Sequence, residues 1–151
     1  MAATEKRVDR PPLTIQEVSR RSGLSEPTLR YYEKIGLIPR VDRDESSGHR
    51  RYDAATVETI EALACLRATG MSVRDMRAYL RHLGGGPGAA AELHDLFRRN
   101  VERVDEEIRR LRARQRYLRL KADLWAARRR SDAEAERRAT DELIHGADAL
   151  R

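Results

Sequence analysis

The stretch that most restricts how this chain can fold is residues 89–130, which contain neither glycine nor proline. Their apolar side chains recur at intervals that alternate between four and three residues, and charged residues fill most of the other positions. The series consists of Phe97, Val101, Val104, Ile108, Leu111, Gln115, Leu118, Ala122 and Trp125, with Gln115 as its one polar member. This heptad pattern predicts one long helix with an apolar seam of the coiled-coil kind.

A helix of this length needs a partner for its seam. At 1.5 Å per residue it would be roughly 60 Å long, more than the preceding part of the chain can cover. We expect the same helix of a second copy to pack there, which makes Val101, Val104, Ile108, Leu111, Gln115, Leu118, Ala122 and Trp125 the dimerisation residues. The alternative is a helical hairpin within one chain, formed with the C-terminal residues 131–151. We disfavour it because that segment is too short to cover the seam.

The C-terminal segment itself is predicted to be a tail or a short helix. Residues 132–143 could form a short helix, and Gly146 is expected to stop it. Its strongest apolar anchors are Leu143 and Ile144.

Glycine and proline set the other boundaries. Residues 84–88 read Gly-Gly-Gly-Pro-Gly and are predicted to be a hinge between a domain at 13–83 and the long helix. Residues 1–12 are polar and end in two prolines, which predicts a disordered N-terminal tail, either without a role or acting as an arm that contacts a partner.

The first part of the domain reads as a helix-turn-helix. Thr14 and Glu17 have the spacing of a capping box, Gly23 suits a left-handed helix end, and Ser25 suits the next N-cap, with Pro27 in the first turn. Two short helices joined by a tight glycine turn are typical of this motif.

Two further helices are expected within the domain. Asp53 and Ser72 are their predicted N-caps, and glycine at position 70 separates them. The inward faces of these helices are predicted to include Arg67 on the third and Leu83 on the fourth.

The second helix carries the side chains that suit DNA. Thr28, Arg30, Tyr31 and Lys34 can lie on its exposed face, while Leu29, Tyr32 and Ile35 can turn toward the core. A recognition helix enters the major groove with such residues. The alternative is an ordinary surface helix in which Arg30 pairs with Glu26 or Glu33.

A basic hairpin, or wing, is predicted to follow. Residues 37–39 lead out, residues 40–48 are rich in turn formers, and residues 49–52 return. Arg43, His49, Arg50 and Arg51 are the side chains that would straddle a phosphate strand.

Composition agrees with a nucleic-acid partner. The formal net charge is +6 and the pI is near 10.0, which favours an anionic partner. We find no nucleophile motif and no phosphate-binding loop, so we expect neither an enzyme nor a cofactor. The four histidines lack metal-ligand spacing, and no apolar run approaches the roughly 18 residues of a membrane span. Without a recognisable signal peptide, a soluble, cytoplasmic protein is expected.

The spacing of one set of residues resembles a known family. Thr28-x-Arg30-Tyr31-Tyr32-Glu33-x-x-Gly36-Leu37-Ile38, followed by Arg43 and by Gly48-x-Arg50-x-Tyr52, resembles the winged helix-turn-helix domain of the MerR family of bacterial transcription regulators. The segment Gly70–Met76 is similar to that family's junction between its third and fourth helices, so the resemblance covers residues 13–83.

The resemblance implies a mainly α fold, in which a winged helix-turn-helix domain precedes an antiparallel coiled coil. It implies a homodimeric activator that binds a pseudo-palindromic element in double-stranded promoter DNA and distorts an overlong spacer so that RNA polymerase can engage. It assigns phosphate contacts to Arg50 and Tyr52. The predicted DNA-binding residues are Thr28, Arg30, Tyr31, Tyr32, Lys34, Arg43, His49, Arg50, Arg51 and Tyr52.

A sensor is harder to predict. The long helix has no cysteine, and the single cysteine, Cys65, excludes an internal disulfide and a multi-cysteine metal site. Its place in the third helix resembles the branch of the family that responds to aldehydes and other small electrophiles. Glu58 and Glu61 flank it and would slow such reactions. The alternative is that Cys65 is a small buried hydrophobe.

Two other functions stay open from the sequence alone. One is a constitutive repressor or architectural DNA-binding protein without a ligand. The other is a coiled-coil adaptor between proteins, which salt-dependent binding to duplex DNA would argue against.

Overall fold

The computed structural model describes residues 10–151, so the predicted disorder of the N-terminal tail falls almost entirely outside the described residues. The fold is mainly α, as predicted. Its elements are α1 (Ile15–Ser22), α2 (Glu26–Lys34), β1 (Asp42–Arg43), β2 (Arg50–Arg51), α3 (Ala54–Ala68), α4 (Val73–His82), α5 (Pro87–Arg130), α6 (Ala133–Ala147) and a final 3-10 turn, Asp148–Leu150. The described residues divide into two compact units, with the boundary between Leu93 and His94, inside α5.

The first unit is built on short, well-capped helices. The Thr14 hydroxyl accepts the Glu17 N–H, and the Glu17 carboxylate accepts the Thr14 N–H at 2.7 Å, so the capping box is present. Gly23 ends α1 at φ 77°, a conformation that favours glycine. Asp53 and Ser72 cap α3 and α4 as expected.

One apolar core holds the helices of the first unit together. It contains Val18, Leu24, Leu29, Tyr32, Leu37, Ile38, Val41, Tyr52, Val57, Ile60, Leu63, Met71 and Met76. α1 packs on both α2 and α3, and these contacts hold the turn between α1 and α2 in place. Burial of these side chains supplies most of the drive for folding of this unit.

Two predicted core positions are wrong. Arg67 is exposed, because the neighbouring Leu66 packs against the core in its place. Leu83 is 54% exposed, because α4 ends at His82 and Leu83 is its extended C-cap.

The glycine-rich segment is shorter than expected. α5 begins at Pro87 rather than Ala89, since proline needs no amide partner in the first turn of a helix. Gly84 and Gly86 have positive φ angles of 87° and 83°. A Cβ on Gly85 would lie 2.8 Å from that of Ala89, too close without a local shift.

In the second unit, the C-terminal segment forms α6 and folds back on α5. Ser131, at φ 57°, makes the turn, and Asp132 caps α6 by accepting the Ala135 N–H at 3.0 Å. Leu120 and Leu124 pack with Ala139 and Leu143, and Tyr117 lies against them. The disfavoured hairpin therefore forms, but on a face of α5 other than the predicted seam.

Two expectations for α6 are wrong. Gly146 does not end the helix, which continues to Ala147. Ile144 does not anchor it: 65% of this residue is exposed, whereas Leu143 is buried. The helix therefore docks with Ala139 and Leu143, one turn apart on the same face.

The heptad seam is open along the second unit. Val101, Ile108, Leu111, Leu118 and Trp125 are exposed large apolar residues, as is Phe97. A helix turns by about 100° per residue around its axis. On average, the seam side chains therefore point roughly 180° away from a second set, which consists of Tyr117, Leu120, Leu124 and Ala127. α5 thus has two opposite apolar faces in its C-terminal half, and α6 covers only one of them.

Candidate DNA-binding surface

Helix α2 has a side-chain cap at its N-terminus and exposes several polar side chains. The Ser25 hydroxyl accepts the Thr28 N–H at 3.2 Å and lies 2.8 Å from the Thr28 hydroxyl. Leu29 and Tyr32 are buried, while Arg30, Tyr31 and Lys34 are exposed and Thr28 is half-buried. The predicted division of α2 into an inward and an outward face is therefore confirmed.

Arg30 has no ion-pair partner within residues 10–151, so the predicted alternative, a pair with Glu26 or Glu33, does not form. Glu33 is engaged instead with Arg50. The guanidinium of Arg30 is therefore available for a ligand.

The wing is a two-stranded antiparallel hairpin. Asp42 pairs with Arg51 and Arg43 with Arg50 in its register. Its tip is organised by Asp44, whose carboxylate accepts the N–H groups of Ser46 and Ser47, each at 2.9 Å. The Ser46 hydroxyl is a third donor, and these hydrogen bonds hold the pKa of Asp44 far below its ordinary value.

A backbone bridge fastens the wing to the start of α1. Leu13 and Tyr52 exchange both N–H···O hydrogen bonds, each 2.9 Å long. Nothing in the local sequence indicated this pairing, because it joins residues from opposite ends of the helix-turn-helix and wing. As a result the N-terminus of α1 lies beside the wing.

The N-terminus of α1, helix α2 and the wing surround a cationic cleft of about 250 Å³. It is lined by Thr14, Ile15, Gln16, Arg30, Arg43, Gly48, His49, Arg50 and Arg51. The cleft thus joins five of the predicted DNA-binding residues to the N-terminus of α1. Cations and helix N-terminal amides are the groups that bind phosphate oxygens in proteins.

Arg50 is held by Glu33 rather than extended into solvent. Its Nε donates to Oε2 of Glu33 at 2.9 Å, and the Val41 N–H lies 3.4 Å from Oε1 of the same carboxylate. Glu33 therefore ties α2 both to the strand that returns and to the segment that leads out. The predictions included Glu33 as a member of the motif and as a possible partner of Arg30, but not as a partner of Arg50.

Two predicted DNA-binding tyrosines are core residues. Tyr32 is 3% exposed and Tyr52 is 1% exposed, and burial raises the pKa of both hydroxyls. The Tyr52 hydroxyl has no hydrogen-bond partner within residues 10–151. Tyr52 therefore packs in the core of the chain without DNA.

Cys65 is exposed, so the expectation that it is a small buried hydrophobe is wrong. The carboxylate of Glu61, one turn earlier, pairs with Arg21 of α1 and is partly neutralised by it.

Metal-site geometry is absent from the part of the chain that the structure describes: no group of three or more His, Cys, Asp or Glu side chains is placed to hold an ion. Within the same residues, no helix is long and apolar enough to cross a membrane.

The fold and its cleft define a class of protein, the winged helix-turn-helix proteins that bind duplex DNA. Comparison with known proteins identifies the family. Residues 13–83 match the family model described as "MerR HTH family regulatory protein". An uncharacterized HTH-type transcriptional regulator of Haemophilus influenzae is 35% identical over 99 residues, 66% of this chain and 73% of that protein. The HTH-type transcriptional regulator HmrR of Rhizobium leguminosarum is 37% identical over 99 residues, 66% of this chain and 75% of that protein.

Solved structures agree with this result. The crystal structure of HiNmlR, described as a MerR family regulator lacking the sensor domain and bound to promoter DNA, shares 30% identity. The alignment covers 82% of this chain and 98% of that one, with a TM-score of 0.59. The chain belongs to the MerR family of transcription regulators, and the predictions of the family and of a non-enzymatic protein are confirmed.

Proposed function

We propose that this regulator binds a pseudo-palindromic promoter element as a homodimer and distorts the spacer DNA. The observation that carries the proposal is the cationic cleft, in which Arg30 of α2 and Arg43, His49, Arg50 and Arg51 of the wing converge. A recognition helix beside such a cleft can read a groove while the wing binds the flanking phosphates.

The open seam of α5 supports the homodimer. Its apolar side chains, among them Leu111, Leu118 and Trp125, are exposed in one chain and repeat at heptad spacing. A second copy covers such a seam by knobs-into-holes packing. A two-fold dimer presents two recognition helices, which match two half-sites of an inverted repeat.

Distortion of the DNA is the step by which such a dimer would activate a promoter. Bending or untwisting a short site costs roughly 1–6 kcal/mol, which contacts from the helix and wing offset. The relative bound to promoter DNA supports promoter DNA as the partner, and RNA polymerase would be affected indirectly.

The test is a selection of duplexes from a random-sequence library by the full-length chain, followed by footprinting. We expect an inverted repeat, binding by two copies per duplex, and an affinity that falls steeply with salt. Enrichment of a single half-site by one copy would contradict the dimeric proposal. A set of duplexes with the site at different positions, compared by gel mobility, measures the bend.

An effector response is proposed at Cys65. Its exposure on α3 favours this thiol over a purely structural cysteine. A promoter transcription assay with an added aldehyde or thiol oxidant tests the response. If Cys65→Ala responds as the wild type does, the thiol is not the sensor. If neither protein responds, the second candidate, a constitutive repressor or architectural protein, is favoured.

A further inference from the structure

The contacts of Glu33 connect the two DNA-facing elements through one carboxylate. Glu33 lies in the last turn of α2, and its side chain is 14% exposed. Oε2 accepts the Nε–H of Arg50 at 2.9 Å, whereas Oε1 faces the Val41 N–H at 3.4 Å. Val41 itself is buried in the core, so this carboxylate has a fixed anchor on the lead-out segment.

The geometry leaves the rest of Arg50 free to bind. Only Nε of its guanidinium is used, and its terminal nitrogens make no hydrogen bond to residues 10–151. Arg50 lines the cationic cleft together with Arg30 and Arg43. Asp44, at the tip of the wing, lies 3.7 Å from Arg51.

We propose that Glu33 is a positioning residue for DNA binding: it fixes the Nε side of Arg50, so that the two terminal N–H₂ groups face a backbone phosphate in the cleft. The inference rests on the proposed function, since it takes Arg50 as a phosphate ligand. A guanidinium has five N–H donors in a rigid fork, so one edge can be held by a carboxylate while the other binds an anion.

The proposed role of Glu33 has an electrostatic cost, and this cost predicts the direction in which DNA affinity changes when Glu33 is removed. A carboxylate near the DNA repels phosphates, so removing it strengthens binding wherever position is unimportant. The Glu33 carboxylate favours binding only at a site that requires one orientation of the wing relative to α2. Its removal should therefore weaken binding to the preferred site while leaving binding to arbitrary DNA equal or stronger.

The experiment compares Glu33→Ala, Arg50→Ala and the double variant on two duplexes, one selected by the wild-type chain and one of random sequence. We expect Arg50→Ala to weaken binding to both and to lower the salt slope by about 1. We expect Glu33→Ala to weaken binding to the selected duplex roughly three- to tenfold, and to leave the random duplex unchanged or bound more tightly. In the Arg50→Ala background, the Glu33 substitution should cost nothing further.

Glu45→Ala is the matched control. It removes the same charge from the exposed tip of the wing, where Glu45 has no ion pair within the described residues. We expect it to change the affinities for both duplexes in the same direction and by similar factors. Thermal unfolding of every variant separates loss of fold from loss of binding.

Three outcomes would overturn the inference. A Glu33→Ala loss that persists in the Arg50→Ala background would mean that Glu33 acts without Arg50. Tighter binding to both duplexes would mean that it only repels phosphate. An unchanged salt slope in Arg50→Ala would remove Arg50 as a phosphate ligand while DNA binding itself stands. A wild-type chain that binds no duplex would instead refute the proposed function.

Discussion

At the residue scale, the cleft contains arginines in different electrostatic states. Arg50 is held by Glu33, and Arg51 lies within ion-pair distance of Asp44, whereas Arg30 has no carboxylate partner within residues 10–151. An arginine that is already paired binds an anion at a fixed place, while an unpaired one can adapt to a base edge. We therefore expect the paired Arg50 and Arg51 of the wing to suit phosphate contacts and Arg30 of α2 to suit contacts with base edges.

Replacing Arg30 by alanine should weaken binding and alter sequence preference. Arg30 is exposed and unpaired, so its loss removes a ligand contact without leaving a buried charge. We expect a cost of about 1–3 kcal/mol on the selected duplex, confined to one or two positions of each half-site. Affinities for duplexes with single base-pair changes measure this. An equal loss on every duplex would make Arg30 a phosphate ligand instead.

Tyr52→Phe should leave the folded chain equally stable or more stable. The ring of Tyr52 is in the core, but its buried hydroxyl has no partner within the described residues, so the native state does not gain from it. Thermal unfolding is the measurement, and Tyr52→Ala, which also removes the buried ring, is the control that should be clearly destabilised. A lower melting temperature for Tyr52→Phe would indicate an ordered water at the hydroxyl.

At the element scale, capping and turn chemistry account for the short helices. Ser25, Asp53 and Ser72 each accept an N–H in the first turn of the helix that they precede, and these positions could be read from the sequence. The Leu13–Tyr52 bridge could not, because two isolated residues carry no strand pattern. Its place was decided by the packing of Tyr52 in the core.

Docking of α6 gives a test at this scale. Leu143→Ala should loosen α6 from α5 at a cost of about 2–3 kcal/mol, because Leu143 is buried against Leu120 and Leu124. Hydrogen exchange of the α6 amides should then accelerate. The neighbouring Ile144→Ala is the matched control: it removes a side chain of similar size from a residue that is 65% exposed, and should have little effect. If hydrogen exchange of α6 accelerated equally in both variants, Ile144 would have to pack in an interface with a second copy of the chain.

At the scale of the whole molecule, the two apolar faces of α5 have different uses. α6 covers the face of Leu120 and Leu124, and the proposed partner copy covers the seam. Arg128 lies near both, since its guanidinium is 4.9 Å from the centre of the Trp125 ring and pairs with Glu136 at 2.7 Å. A helix with both faces apolar is stable only when both are covered.

Leu118→Lys should therefore abolish the dimer without unfolding the chain. Leu118 is 67% exposed in the single chain, so lysine is tolerated there, but it would bury a charge in the paired seam. Sedimentation equilibrium measures the state of association, and DNA affinity should fall with it. Asp123→Lys, at an exposed position outside the seam and the α6 contact, is the control that should stay dimeric. A dimeric Leu118→Lys would show that the seam is not the interface.

The sequence alone determined the helices, their caps, the heptad seam and the family, because these depend on residues within a few turns of one another. Even the outward face of α2 followed from its spacing. Only the tertiary structure decided which charges meet. The pairing of Glu33 with Arg50, the bridge from Leu13 to Tyr52 and the docking of α6 on the second face of α5 join residues that are distant in sequence. Such contacts depend on the tertiary packing of the two apolar cores, which a local sequence pattern does not predict.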